Sequence, residues 1–223
     1  MKRFVLTFRP FEFFLCYHRE AAQCMARLLK LHLSEHKLAT RKVFLDSDDL
    51  LDLPGLVSNI QEKTDIVVVI MTSQTFMRPW CLGEIATAHR NVGVVKLVPV
   101  ATADARMPNE DFIADLAQVV PGVMSLAQHG LAVDGMQRAL RWLVGLPRLK
   151  LQEPITNALM DCLCAQLFGA RKALADGETT VEQPTGSTRT SWRAAGIEDV
   201  IVASSTSAEA ASVGCILEKL LVP

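Results

Sequence analysis

The sequence predicts an α/β fold, a doubly wound sheet of five parallel strands flanked by helices. Three observations predict it. Strand and helix signals alternate from residue 12 onward, the segment Ile66 to Met71 is apolar at every position, and the stretch after the first strand has one apolar and one polar helical face. Alternation is the pattern of a parallel sheet covered on both sides. Strands buried on both faces lose their polar positions, which places Ile66 to Met71 at the sheet centre.

Phe13-Phe14-Leu15-Cys16 is a short apolar run suited to a buried first strand. In the helix that follows, Ala22, Met25, Ala26, Leu29 and Leu33 share one face, with Glu20, Gln23, Arg27, Lys30 and Ser34 opposite. Lys42 to Asp46 reads as strand two, Asp65 to Met71 as strand three and Val94 to Val100 as strand four. Pro79 suits the first turn of a helix that carries Trp80 and Glu84 on one face at i and i+4. A fifth strand is expected near Gly122 to Leu126. The last helix has Asp134 and Gln137 as a capping box, an apolar face of Met136, Ala139, Leu140, Leu143 and Val144, and a stop at Pro147.

Four segments are expected: a tail over 1–11, the α/β domain over 12–146, a helix and flexible linker over 147–197, and a strand–helix fragment over 198–223. Ile155 to about Leu174 is the helix of the third segment. The stretch from Asp176 to Arg193 lacks periodicity and is rich in Gly, Thr, Ser and Pro, the composition of a linker. In the fourth segment, aligning Ala21-Ala22 with Ala210-Ala211 also aligns Leu28 with Leu217 and Leu31 with Leu220. That segment therefore looks like the start of a second copy of the domain. One strand and one helix bury too little surface to fold alone, so a fragment of a tandem array is favoured over a tail docked on the first domain.

Half of the 223 residues are hydrophobic and 21% are charged, a composition that supports a packed core. With 23 Lys+Arg against 24 Asp+Glu and no basic stripe, nucleic acid is not an expected partner. The longest apolar run of the first domain is far below the about 20 residues that span a bilayer. Six cysteines, at 16, 24, 81, 162, 164 and 215, lack the spacing of a disulfide framework or a zinc site, and no metal is expected. A reducing, cytoplasmic setting follows.

In an open parallel sheet, ligands bind beyond the carboxyl ends of the strands where strand order reverses. With the order 2-1-3-4-5, that crevice is flanked by the loops after strands one and three. Tyr17-His18-Arg19 follows strand one and Asp46 ends strand two. A phosphoacceptor receiver needs an aspartate where this chain has Met71-Thr72, and a flavin phosphate loop needs glycine where it has Tyr17-His18-Arg19-Glu20. No G-x-G-x-x-G follows any strand, so a dinucleotide cofactor site is unsupported. The acidic group Asp46, Asp48, Asp49 and Asp52 has no His nearby and is read as a solvated loop.

Phe14-Leu15-Cys16-Tyr17 resembles the first box of TIR (Toll/interleukin receptor) domains. Val43-Phe44-Leu45-Asp46 with Asp52-Leu53-Pro54-Gly55 resembles their second strand and BB loop, and Trp80-Cys81-Leu82-Gly83-Glu84-Ile85 their W-C-x-x-E motif. Trp142 is loosely similar to the aromatic of the third box. The resemblance implies a flavodoxin-like doubly wound sheet of order 2-1-3-4-5 and a role in signal transduction, including innate immunity. It implies, for the NAD+-cleaving branch, Glu84 as the catalytic carboxylate, Trp80 stacking near nicotinamide or ribose, Tyr17, His18 and Arg19 lining the crevice, and Asp46 as a polar contact at its floor. NAD+ would be the substrate, and no cofactor is implied. The alternative it carries is a non-catalytic module that associates with other TIR domains through Leu50, Leu51, Leu53, Pro54 and Gly55, with Leu56 adding to that apolar surface.

Overall fold

The computed structural model describes residues 9–49, 54–151, 153–175, 212, 215 and 216. Five strands form one sheet: β1 (Phe11–Cys16), β2 (Lys42–Leu45), β3 (Thr64–Met71), β4 (Lys96–Ala101) and β5 (Leu149–Lys150). The order is β2-β1-β3-β4-β5 and each pairing is parallel, as the alternation of signals requires. Leu15 pairs with Leu45 and Val68, and Met71 with Ala101, so the carboxyl ends of all the inner strands come out on one edge.

The helices divide between the two faces. α1 (Arg19–Glu35) and α8 (Asn157–Ala175) cover one, α3 (Pro54–Lys63), α4 (Pro79–Arg90) and α7 (Val133–Val144) the other, while α2 (Asp46–Asp49), α5 (Glu110–Ala114) and α6 (Leu116–Val119) are short turns. Side chains alternate along a strand. Thus Phe13, Leu15, Ile66, Val68 and Ile70 pack under α1 and α8, and Phe14, Cys16, Val67, Val69 and Met71 under α4 and α7. From Ile66 to Met71 β3 is buried on both sides, which is why that stretch has no polar break.

α8 belongs to this core. Its Phe168 meets Phe13 edge-on at 5.0 Å, and Arg171 reaches the fully buried Glu12 of β1 at 3.0 Å. The buried His32 of α1 is held between Asp161 at 2.6 Å and Asn157 at 3.0 Å, both on α8. Most of the C-terminal strand–helix expectation lies outside the described residues. Cys215 is buried in the α1–α8 layer, and its thiol donates to the Ile155 carbonyl at 3.4 Å.

Two sequence expectations are corrected. The region of Gly122 to Leu126 is not a strand: Gly122 (φ 77°) and Gly130 (φ 73°) bracket a 3-10 helix, Val123–His129, with Val123 and Leu126 buried one tight turn apart. The fifth strand is instead the two residues Leu149–Lys150, paired with Val100 and Ala101, and the ladder continues as Leu151 N–H donates to the Ala101 carbonyl at 2.8 Å. The expected capping box also fails. α7 starts after Ala132 without a side-chain cap; Asp134 pairs with Arg138 at 2.7 Å, and Gln137 donates to the Ile113 and Ala114 carbonyls. An i, i+4 ion pair within α7 engages Asp134 and a tertiary contact engages Gln137, so neither caps the helix. Smaller shifts leave β2 ending at Leu45, with Asp46 opening α2, and β4 starting at Lys96.

Candidate functional site

The carboxyl ends of β1 and β2 and the start of α4 converge on one polar cluster. Asp46, directly after β2, is buried and accepts from the Tyr17 hydroxyl at 2.5 Å, from Arg78 Nη2 at 3.2 Å and from Arg19 Nη2 at 3.4 Å. Burial, then the Asp46 carboxylate, holds the Tyr17 hydroxyl above its ordinary range, so it remains a donor.

Arg78 reaches this cluster because it precedes Pro79. A residue before proline is driven to extended backbone, and Arg78 has φ −96° and ψ 115° while Pro79 opens α4. Its Nη1 donates to the Tyr17 carbonyl at 2.7 Å. Burial alone would lower its pKa, but Cys81, Glu84 and Asp46 outweigh that and hold the guanidinium charged.

Glu84 lies one turn into α4 with 4% of its surface exposed. Burial pushes its carboxyl up to about 8; Asp46 adds to this, while hydrogen bonding with Cys16 and the Arg78 charge pull it back. Cys16 and Cys81 complete the enclosure. Cys81 Sγ donates to the Tyr17 carbonyl at 3.3 Å, and Cys16 is raised by burial first and then by Cys81 and Glu84.

Tyr17, Arg19, Asp46 and Glu84 are thus gathered around Arg78. His18 stands beside them at the start of α1, half-buried, its Nδ1 without a hydrogen-bond partner among the described residues. Burial and Arg78 lower its pKa, so the ring is neutral near pH 7. Trp80 is half-buried with its ring 5.2 Å from that of His129, and the Glu84 carboxyl hydrogen-bonds with Cys16 of β1. Both residues lie on α4 at i and i+4, and the 3-10 helix supplies Trp80 with an aromatic neighbour, His129.

Of the expected interaction loop, Leu50, Leu51 and Leu53 lie outside the described residues, while Pro54 and Gly55 begin α3. Leu56 is not part of a contact surface: it is 2% exposed and packs in the α4-side core. An open cleft of about 510 Å³ lies at the carboxyl ends of β4 and β5, lined in part by Thr102, Met107, Arg148 and Lys150.

The role of Arg78 and the meeting of Cys16 with Cys81 emerge only in the folded chain. The X-Pro step at a helix start was the available signal for the first. The second had none, because metal-site and disulfide spacing rules look for local repeats and these thiols meet only through β1 and α4.

No family model matches the sequence, and no curated protein matches it. The chain is similar in structure to the TIR domains in the structure of the activated Roq1 resistosome directly recognizing the pathogen effector XopQ, with 16% identity, a TM-score of 0.49, and coverage of 72% of this chain and 98% of that one. Among the described residues no helix is long and apolar enough to cross a membrane.

Proposed function

We propose that this chain is a TIR-type NAD+ glycohydrolase, releasing nicotinamide and forming ADP-ribose or its cyclic form in a cytoplasmic signalling role. The observation that carries it is a buried glutamate, Glu84, beside the fixed charge of Arg78 at the strand ends where an open parallel sheet binds ligands. The boxes around Tyr17, Asp46 and Trp80-Cys81-Leu82-Gly83-Glu84 support the same reading.

Nicotinamide leaves NAD+ as a neutral base, so departure needs no general acid; the demand is a negative charge beside an oxocarbenium-like ribosyl centre. Glu84 would supply that charge. Its carboxyl ionises at about 8 in the enclosed state, and the cationic nicotinamide ribosyl group, together with Arg78, favours the carboxylate. Water then adds to the ribosyl carbon, giving ADP-ribose and one proton.

The 4% exposure of Glu84 favours a second reading, an interaction module that associates with other TIR domains without turnover. Catalysis requires the carboxylate to be uncovered, and association of domains is the proposed means. Nicotinamide release from concentrated protein, measured beside Glu84→Ala and Glu84→Gln, separates the two. Release lost in both variants is the expected result; absence of release, or equal release from the variants, leaves the interaction module.

A further inference from the structure

One sulfur of Cys16, one of Cys81 and a carboxylate oxygen of Glu84 all lie within 4.8 Å of one another, and all three residues are buried. Cys16 ends β1, while Cys81 and Glu84 stand at i and i+3 on the first turns of α4, so the fold and the helical period both contribute to the grouping. The two thiols and the carboxyl already interact with one another, Cys16 hydrogen-bonding with Cys81 and Glu84, and Cys16 Sγ lies 3.9 Å from the Cys81 carbonyl and Cys81 Sγ 3.3 Å from the Tyr17 carbonyl.

We propose that Cys16, Cys81 and Glu84 form a binding site for a thiophilic divalent cation of the zinc class. Tetrahedral zinc takes thiolate sulfur at about 2.3 Å and carboxylate oxygen at about 2.0–2.2 Å, so a contraction of roughly 1 Å among these side chains closes the site. Three protein ligands would leave a fourth position to a further donor. Magnesium and calcium prefer oxygen alone, and two thiolates are too few for an iron–sulfur cluster. Binding releases the two thiol protons and, from the acid form of Glu84, the carboxyl proton. Three anionic ligands against a divalent ion leave one negative charge, which faces the Arg78 guanidinium.

Such a cation would tie the end of β1 to α4 and stabilise the folded chain by mass action. The site stands whether or not Glu84 cleaves NAD+. The close pair in the sequence offers no rival: along α8, Cys162 is exposed and Cys164 buried.

The test is titration of the chelator-treated full chain with Co2+ and then Zn2+. The expected result is one equivalent of Co2+ with thiolate-to-cobalt absorption in the near ultraviolet, displaced by Zn2+. Cys16→Ser and Cys81→Ser should each abolish the band, Glu84→Gln should weaken binding at least about tenfold, and Cys162→Ser and Cys164→Ser should leave it intact. No band in the unaltered chain, or a band that survives Cys16→Ser, overturns the site. Should a variant fail to fold, alkylation mapping on the unaltered chain decides: Zn2+ must protect Cys16 and Cys81, and unprotected thiols refute the proposal.

Discussion

Arg78 and Asp46, 32 residues apart in sequence, meet at 3.2 Å, and the same guanidinium donates to the Tyr17 carbonyl at 2.7 Å. One side chain therefore joins the ends of β1 and β2 to the start of α4, with its charge facing Glu84.

Arg78→Ala should lower stability by about 2–4 kcal/mol, because it strips a partner from the buried Asp46 and leaves the Tyr17 carbonyl without this donor. Arg78→Lys should recover only part of the loss, since an ammonium cannot span both acceptors as a guanidinium fork does. Urea denaturation of the three proteins checks the order; equal midpoints for Ala and wild type would remove Arg78 from this structural role.

Glu84 makes stability depend on pH in a stated direction. In the metal-free fold, burial raises its carboxyl from the ordinary 4.5 to about 8, against the opposing pull of Cys16 and Arg78. Below 4.5 the group is protonated folded and unfolded, and nothing is lost. Between 4.5 and 8 the unfolded chain ionises while the folded one does not, so stability falls as pH rises and levels off above 8. Glu84→Gln should therefore gain on wild type progressively across that window in thermal melts of chelator-treated protein. A stability difference independent of pH would contradict the burial of an acidic carboxyl there.

Two helix glycines should respond oppositely to alanine. A Cβ at Gly83 of α4 would lie 2.9 Å from Leu131 Cδ1 and 3.4 Å from Leu126 Cδ1, and because both leucines are buried, either must shift within the packed core to make room. Overpacking of about 1–3 kcal/mol should exceed the helix-propensity gain of about 1 kcal/mol. At Gly169 of α8 a Cβ meets nothing within 4 Å, and Gly169→Ala should stabilise by up to about 1 kcal/mol. Equilibrium unfolding of both variants reads the two signs directly.

The strands whose burial is written in their composition were legible, as β3 illustrates. β5 was not, since two residues carry no period and its pairing with Val100 and Ala101 depends on where the chain returns after α7. A strand signal near Gly122 misled because two left-handed glycines can bracket a 3-10 turn as well as punctuate a strand. Around the candidate site, the position of Tyr17, His18, Arg19 and Asp46 at the ends of β1 and β2 is legible from the strand signals, whereas the contacts of Arg78 and the meeting of Cys16 with Cys81 are not.

By itself the sequence determined the parallel sheet, its buried centre and the helix that begins at Pro79, because hydrophobic period and proline chemistry act over a few residues. Only tertiary structure decided the partners. It enclosed Glu84 between two cysteines 65 residues apart, set Arg78 against Asp46, turned Trp80 to His129 and brought α8 into the core. Those outcomes depend on which surfaces the completed fold presses together, and a long-range contact leaves no periodic trace in the residues that make it.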